Sequence, residues 1–298
     1  MSRRGNVTFK EGQEHRRKFV KLFEKLKYRH SDWQVWHDFI YMAAAALSQP
    51  CNFHQNREDE YLRIINGYNK EEQELFPQML AEIIQAFEQE KYADVLGELY
   101  MQLEMNNKWH GQFFTPYHVC SMMAKCSATD ISAEIKGKGY MSVNDPCCGS
   151  GALLVAFAEH CFEQNVNYQQ NILFVAQDID PVVARMCFIQ MSLLGMPGYV
   201  IIGNSLTQPS VGHALFPKIG KVNENIPDAD IWYTPFFFTD VWHTRRKLEE
   251  IKVMMASMFN AVADERAPPP AVPEPEVKEV VRNDIASTKR EYEQLSLF

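Results

Sequence analysis

Up to about residue 105, apolar residues recur at helical spacing. In "EHRRKFVKLFEKLKYR", Phe19, Leu22, Phe23 and Leu26 fall on one face at the i, i+3, i+4, i+7 positions. "DWQVWHDFIYMAAAALS", "QELFPQMLAEIIQAFEQE" and "YADVLGELYMQLEM" read as further helices, and no strand-like alternation interrupts them. The pattern predicts a helical N-terminal domain over residues 1–105. From about Gly139 it changes. "YMSVND" and "NILFVAQD" are short apolar runs with acidic ends, each followed by a helical segment, "GSGALLVAFAEHCF" and "PVVARMCFIQMSLLG". The second helix opens with proline and closes with glycine, as helices prefer. "GYVIIGNSL" is a third strand and "ADIWYT" a fourth, before the helical "DVWHTRRKLEEIKVMMASMF". Strands alternating with helices predict a parallel α/β sheet over residues 106–260. From 261 to 298 the chain is acidic and proline-rich ("DERAPPPAVPEPEVKEV"), which predicts a disordered linker. There is no internal repeat.

Composition changes this picture little. The 298 residues are 46% hydrophobic and 23% charged, enough for a substantial core. The longest apolar stretch, Phe39–Leu47, is too short to span a bilayer, and the N-terminus lacks the apolar segment of a signal peptide. We therefore expect a cytoplasmic protein with no membrane partner. The seven cysteines are odd in number and irregularly spaced, with no paired CxxC, so they read as reduced thiols and no metal site is expected. The net charge of −8 argues against a uniformly basic nucleic-acid binder, but ten Lys/Arg lie between Arg3 and Arg29, opposed by Glu11, Glu14 and Glu24. That run reads either as a phosphate-facing patch or as a solvated helix face.

The candidate chemistry starts where the first strand runs into "NDPCCGSGALL". Gly149 and Gly151 are spaced for a tight strand-to-helix turn that brings backbone close to a ligand. The next strand ends in "VAQDIDP", where Asp178 or Asp180 is placed to accept hydrogen bonds from ribose hydroxyls. An ordinary βα turn followed by a helix-capping aspartate fits the same residues.

Four segments, spread over roughly residues 90–245, resemble the S-adenosylmethionine-dependent N6-adenine DNA methyltransferases, above all the modification subunits of type I restriction systems. "GQFFTP" (Gly111–Pro116) resembles the family's cover over the methionine end of the cofactor, and "DPCCGSG" (Asp145–Gly151) its main cofactor loop. "AQDIDP" resembles the ribose-binding element and "GNSL" (Gly203–Leu206) the element beside the adenine. The resemblance implies S-adenosylmethionine as cofactor and a Rossmann-like methyltransferase sheet. It implies cofactor contacts from Phe114, Thr115, Pro116, Asp145, Pro146, Gly149, Gly151, Asp178 and Asn204. It also implies a catalytic Asn/Asp-Pro-Pro-Tyr/Phe at the end of the fourth strand, to hold and stack a flipped adenine. Here Thr234, Pro235, Phe236 and Phe237 occupy that place, with a hydroxyl where the family has an amide or carboxylate.

The family's sheet has seven strands, and this chain offers no candidates after the fourth. The sheet is expected to be truncated there, leaving an open edge at "DIWYT" for a second copy or a specificity subunit. No segment resembles a target-recognition domain. The last residues, "QLSLF", resemble the peptide by which bacterial proteins dock on the β sliding clamp, through Gln294, Leu295, Leu297 and Phe298. Three functions follow: a DNA adenine-N6 methyltransferase, a non-catalytic homologue that binds cofactor or DNA as a regulatory module on the clamp, or transfer to another acceptor such as RNA or protein.

Overall fold

The computed structural model describes residues 11–103, 114–223 and 225–265. The "QLSLF" peptide, the linker beyond Glu265 and the start of "GQFFTP" lie outside them. The helices predicted at the N-terminus form as α1 (Glu11–Leu26), α2 (Asp32–Ser48), α3 (Gln55–Ile65), the single turn α4 (Lys70–Gln73), α5 (Leu75–Gln89) and α6 (Val95–Gln102). Next come α7 (Tyr117–Ser127) and α8 (Ile131–Lys138), then β1 (Met141–Asp145), α9 (Ala152–Glu163), α10 (Tyr168–Asn171), β2 (Ile172–Asp178), α11 (Pro181–Leu193) and β3 (Gly198–Ile202). A small hairpin, β4 (Ser210–Val211) and β5 (Lys218–Ile219), precedes β6 (Asp230–Tyr233), a 3₁₀ turn at Pro235–Phe238 and α12 (Asp240–Glu265). Among the described residues, no helix is long and apolar enough to cross a membrane.

The fold is the expected α/β class, with a four-stranded sheet in the order β1-β2-β3-β6. β1, β2 and β3 are parallel, and their crossover helices α9 and α11 pack on one face. Side chains alternate across the sheet. Ile172, Phe174, Ala176, Val200 and Trp232 face α9, α11 and the N-terminal helices. Leu173, Val175, Tyr199 and Ile201 face Leu215, Phe237 and Trp242 on the other side. The N-terminal helices share one continuous core with the sheet, in a compact unit that runs to Glu250. α12 continues to Glu265.

The fourth strand corrects the expectation of an all-parallel sheet. β6 runs antiparallel to β3, pairing Tyr199 with Tyr233 and Ile202 with Asp230. Its turn-around is clasped at the start of β3. Thr234 is fully buried, its Oγ1 accepts from Gly198 N at 3.0 Å, and it lies 2.8 Å from Met196 O, to which it donates. Gly198 is required there, because a Cβ would stand 1.8 Å from Phe174 O. β6 ends the sheet, as expected, and Arg57 on α3 lies against it, donating to Ile231 O at 2.7 Å, pairing with Asp230 at 2.9 Å and lying 3.8 Å over the Trp232 ring. Among the described residues β1 is the other edge strand, and its Ser142 and Asn144 are exposed.

Replacing Thr234 by valine keeps the volume and strands the buried Gly198 N–H. We expect a loss of about 1–3 kcal/mol in urea unfolding, with native secondary structure retained by circular dichroism.

Candidate functional site

A cleft of about 850 Å³ opens at the carboxyl ends of β1 and β2 and beside the turn after β3. Its shape follows from the loop between β1 and α9. Cys148 N donates to Gln177 O at 2.9 Å, extending the β1–β2 ladder past Asp145. Gly149 then takes a left-handed conformation (φ +51°) and Gly151 another (φ +93°). A Cβ on Gly151 would meet Cys187 Sγ at 2.7 Å, so the loop can lie this close to α11 only as glycine. Beneath it, the buried Cys148 thiol is kept protonated by a hydrogen bond with Cys187 and by burial.

A buried carboxylate anchors the loop. Asp94 caps α6 by accepting from Gly97 N at 3.0 Å, and also accepts from Ser150 Oγ and Gln190 Nε2, each at 2.8 Å. Gln190 donates to Ser150 O at 2.6 Å as well, and its Oε1 accepts from Leu96 N. Burial raises the Asp94 pKa, opposed by these hydrogen bonds and by the Arg16 charge. Arg16 is itself buried and paired with Glu90 at 2.9 Å and Glu98 at 2.7 Å. It therefore serves the interior and not a phosphate-facing patch.

Of the residues expected to bind cofactor, the structure brings Phe114, Thr115, Asp145, Pro146, Gly149, Asp178 and Asn204 to the cleft wall. Pro116 instead caps the start of α7, and Gly151 supports the loop from behind. Asp178 and Asp180 have separate tasks. Asp178 accepts from Gly149 N at 2.8 Å and Asp180 N at 3.0 Å at the cleft wall, whereas Asp180 caps α11. Asn204 accepts from Leu206 N at 2.9 Å, fixing the turn after β3. Sequence reasoning missed Cys120, Met123, Cys147, Ile179 and Leu206, which also line the cleft. Leu206 is 85% exposed and Ile179 65% exposed, and an apolar residue left bare beside a strand-end aspartate is a signal that was there to read.

Among the described residues, the cleft's charged lining is acidic, with no Lys, Arg or His. Asp145 and Asp178 are both pushed above the ordinary aspartate pKa by burial, and Asp178 raises Asp145 further. Such a wall suits a ligand rich in hydroxyl and amino donors or carrying positive charge, and disfavours a polyphosphate. Among the described residues, no cluster of three or more His, Cys, Asp or Glu is arranged to hold a metal.

The expected catalytic element is elsewhere. Because β6 is antiparallel to β3, Thr234 stands beside Gly198 at the amino end of β3, whereas Asn204 and the cleft lie past its carboxyl end. From Gly198 to Asn204 the extended chain covers roughly 20 Å. Pro235 opens the 3₁₀ turn, Phe236 packs on Gly195, and Phe237 is buried against Tyr199 with Arg246 4.1 Å over its ring. The structure therefore does not bring these four residues to the cleft.

Comparison with known proteins places the family model described as N-6 DNA methylase on residues 91–260. The methylase subunit of the type I restriction enzyme MjaIX from Methanocaldococcus jannaschii is 26% identical over 117 residues, 38% of this chain and 19% of that protein. This chain thus matches less than a fifth of that relative's length. Among solved structures, a putative class I S-adenosylmethionine-dependent methyltransferase from Listeria monocytogenes has a TM-score of 0.38 at 14% identity, over 68% of this chain and 57% of the other. The methyltransferase subunit of a type I restriction-modification system from Streptococcus thermophilus has a TM-score of 0.37 at 13% identity, over 68% and 61%.

The raised carboxylates carry a signed consequence. An aspartate whose folded pKa exceeds its unfolded value binds more protons when folded, so stability grows as pH falls from above the folded pKa towards the unfolded one. Asp145→Asn keeps the acceptor for Cys147 N and removes the buried charge. We expect a higher melting temperature than wild type at neutral pH without ligand, the gap narrowing in mild acid, as read by scanning fluorimetry across pH.

Proposed function

The chain belongs to the N-6 DNA methylase family, and on that premise we propose that its cleft binds S-adenosylmethionine and that the chain, unaided, holds this methyl donor without transferring the methyl to adenine N6 in DNA. The observation that carries the first half is the pair of half-buried carboxylates, Asp145 and Asp178, at adjacent strand ends around a loop whose Gly149 and Gly151 are left-handed. The residues fit the cofactor chemically. Asp178, a carboxylate at the cleft wall held by backbone N–H groups of Gly149 and Asp180, still has acceptor capacity for ribose hydroxyls. Asp145 offers negative charge to the ligand's cationic groups. Phe114, Ile179 and Leu206 supply apolar wall for a purine, with Asn204 beside them as polar partner. The bound cofactor supplies an electrophilic methyl group on a sulfonium.

The second half is supported by the position of Thr234, fully hydrogen-bonded and buried at the far end of the sheet. A flipped base needs an acceptor for its amino group and an aromatic platform at the cleft mouth. An element supplying them would have to come up beside β1, whose unpaired edge borders the cleft. Titration calorimetry with S-adenosylmethionine should give binding that Asp178→Ala weakens about tenfold or more, or ~1.4 kcal/mol. Tritiated-methyl assays on unmethylated bacterial DNA should give no transfer by the wild type or by Thr234→Asn. Absence of binding would overturn the first half, and turnover by the isolated chain the second.

The terminal "QLSLF" supports a further role, tethering the protein to the β sliding clamp through Gln294, Leu295, Leu297 and Phe298. Deleting residues 294–298 should abolish clamp binding in surface plasmon resonance and leave cofactor binding unchanged.

A further inference from the structure

At the amino ends of β2 and β3, the opposite end of the sheet from the cleft, lies a second cavity of about 440 Å³. Its floor is apolar, made by Ile84 and Phe87 of α5, Leu193 and Leu194 at the end of α11, and Phe236 of the 3₁₀ turn. An apolar lining of this size with a few polar groups suits a small ligand. The walls are preformed. Gly195 is left-handed (φ +67°), and a Cβ there would meet the Gln169 carboxamide at 2.5 Å and the Phe236 ring at 2.9 Å. Glycine lets these two side chains converge. The Gln169 backbone is pinned, its carbonyl accepting from Trp242 Nε1 at 2.8 Å and its N–H donating to Asn167 Oδ1 at 3.1 Å. Tyr168 OH donates to Leu194 O at 2.9 Å and ties α10 to the end of α11.

Three polar side chains rim this floor: Glu88, Lys91 and Gln169. Among the described residues, the Gln169 carboxamide forms no hydrogen bond and Lys91 pairs with no carboxylate, its ammonium standing 5.9 Å from the Tyr92 ring. Glu88 accepts from Gln85 at 3.1 Å and still has acceptor capacity. Lys91 and Gln169 also line an adjoining cavity of about 370 Å³, so they stand where the two meet.

The whole rim decides the ligand. A simple acid would set its carboxylate against Glu88, and a simple amine its ammonium against Lys91. A neutral apolar ligand would cover all three polar groups without bonding them. An anion and a cation side by side, with an amide that both donates and accepts, complement a head that carries an ammonium and a carboxylate together. We propose that this cavity binds a free α-amino acid with an apolar side chain. The side chain lies on the floor of Phe87, Leu193 and Phe236, the carboxylate meets Lys91, the ammonium meets Glu88, and Gln169 bonds the head between them. The site is separate from the cleft and does not rest on cofactor binding.

The test is a saturation-transfer NMR titration of the full chain with L-phenylalanine, L-leucine, glycine, 3-phenylpropionate and phenethylamine. We expect the first two to bind, and the other three to bind about tenfold more weakly or worse, each lacking the side chain or one charge. Lys91→Met should weaken L-phenylalanine to the level of phenethylamine and leave phenethylamine unchanged. Glu88→Gln should weaken it to the level of 3-phenylpropionate and leave that acid unchanged. Both residues are exposed, so neither change should move the melting temperature. Asp178→Ala, in the cleft, should leave amino-acid binding as it is. Absence of amino-acid binding at millimolar concentration, either single-charge analogue matching L-phenylalanine, binding that survives both rim substitutions, or binding lost with Asp178→Ala would each overturn the proposal.

Discussion

The carboxylate of Asp94 holds the site together from a position with almost no access to water. An ionised group there costs several kcal/mol unless its lone pairs are filled. They are filled from three segments distant in sequence: Gly97 N of its own helix, Ser150 Oγ of the glycine loop, and Gln190 Nε2 of α11. Gln190 closes the ring by bonding Leu96 N and Ser150 O. The loop's conformation is thereby fixed from beneath, so the strain of two left-handed glycines is met before any ligand arrives. The network also explains why the N-terminal helices share a core with the sheet: detaching α6 would leave a charge and two polar side chains buried without partners.

The direction of the fourth strand governs the rest of the functional reading. A strand parallel to β3 would have carried Thr234 to the cleft end of the sheet. The antiparallel one returns it to the opposite end, where its hydroxyl meets Gly198 and Met196. The two edges then differ in kind. That of β6 carries a guanidinium that bonds a strand carbonyl and lies on Trp232, which obstructs pairing at that point. That of β1 has no such guard and stands next to Asp145.

What the sequence revealed was local. Each strand that reads as an apolar run with an acidic end forms, because burial on both faces and a solvated terminus can be read residue by residue. Gly149, Gly151 and Asp178 were legible for the same reason: turn geometry and a strand-end acid are short-range properties. Strand direction is not. Nothing in "DIWYT" says which way it runs, and the twenty-odd residues after β3 are long enough to return the chain to either end. The likeness of "TPFF" to a catalytic element says nothing of where it lies, and Thr234 here bonds Gly198 and Met196 at the far end of the sheet from the cleft. Asp94 was equally out of reach, since an aspartate before a helix reads as a cap, and its second role needs Ser150 and Gln190 brought to it. That α2 and α11 pack together was equally illegible, though both are buried nearly all round and so read as interior helices.

Rigidity and openness are therefore divided within one small sheet. Around β2 and β3, every strand position but the last is buried, and the loop above them is tied to two helices. Around β1, alternate residues are exposed and the cleft mouth is bare on Ile179 and Leu206. Two carboxylates kept above their ordinary pKa, one at the end of each strand, are costly to hold close together without a countercharge, and a donor-rich cationic ligand relieves that cost directly. The wall around β2 and β3 is thus preformed by hydrogen bonds and glycine geometry, and the mouth beside β1 is the part of the cleft most open to solvent.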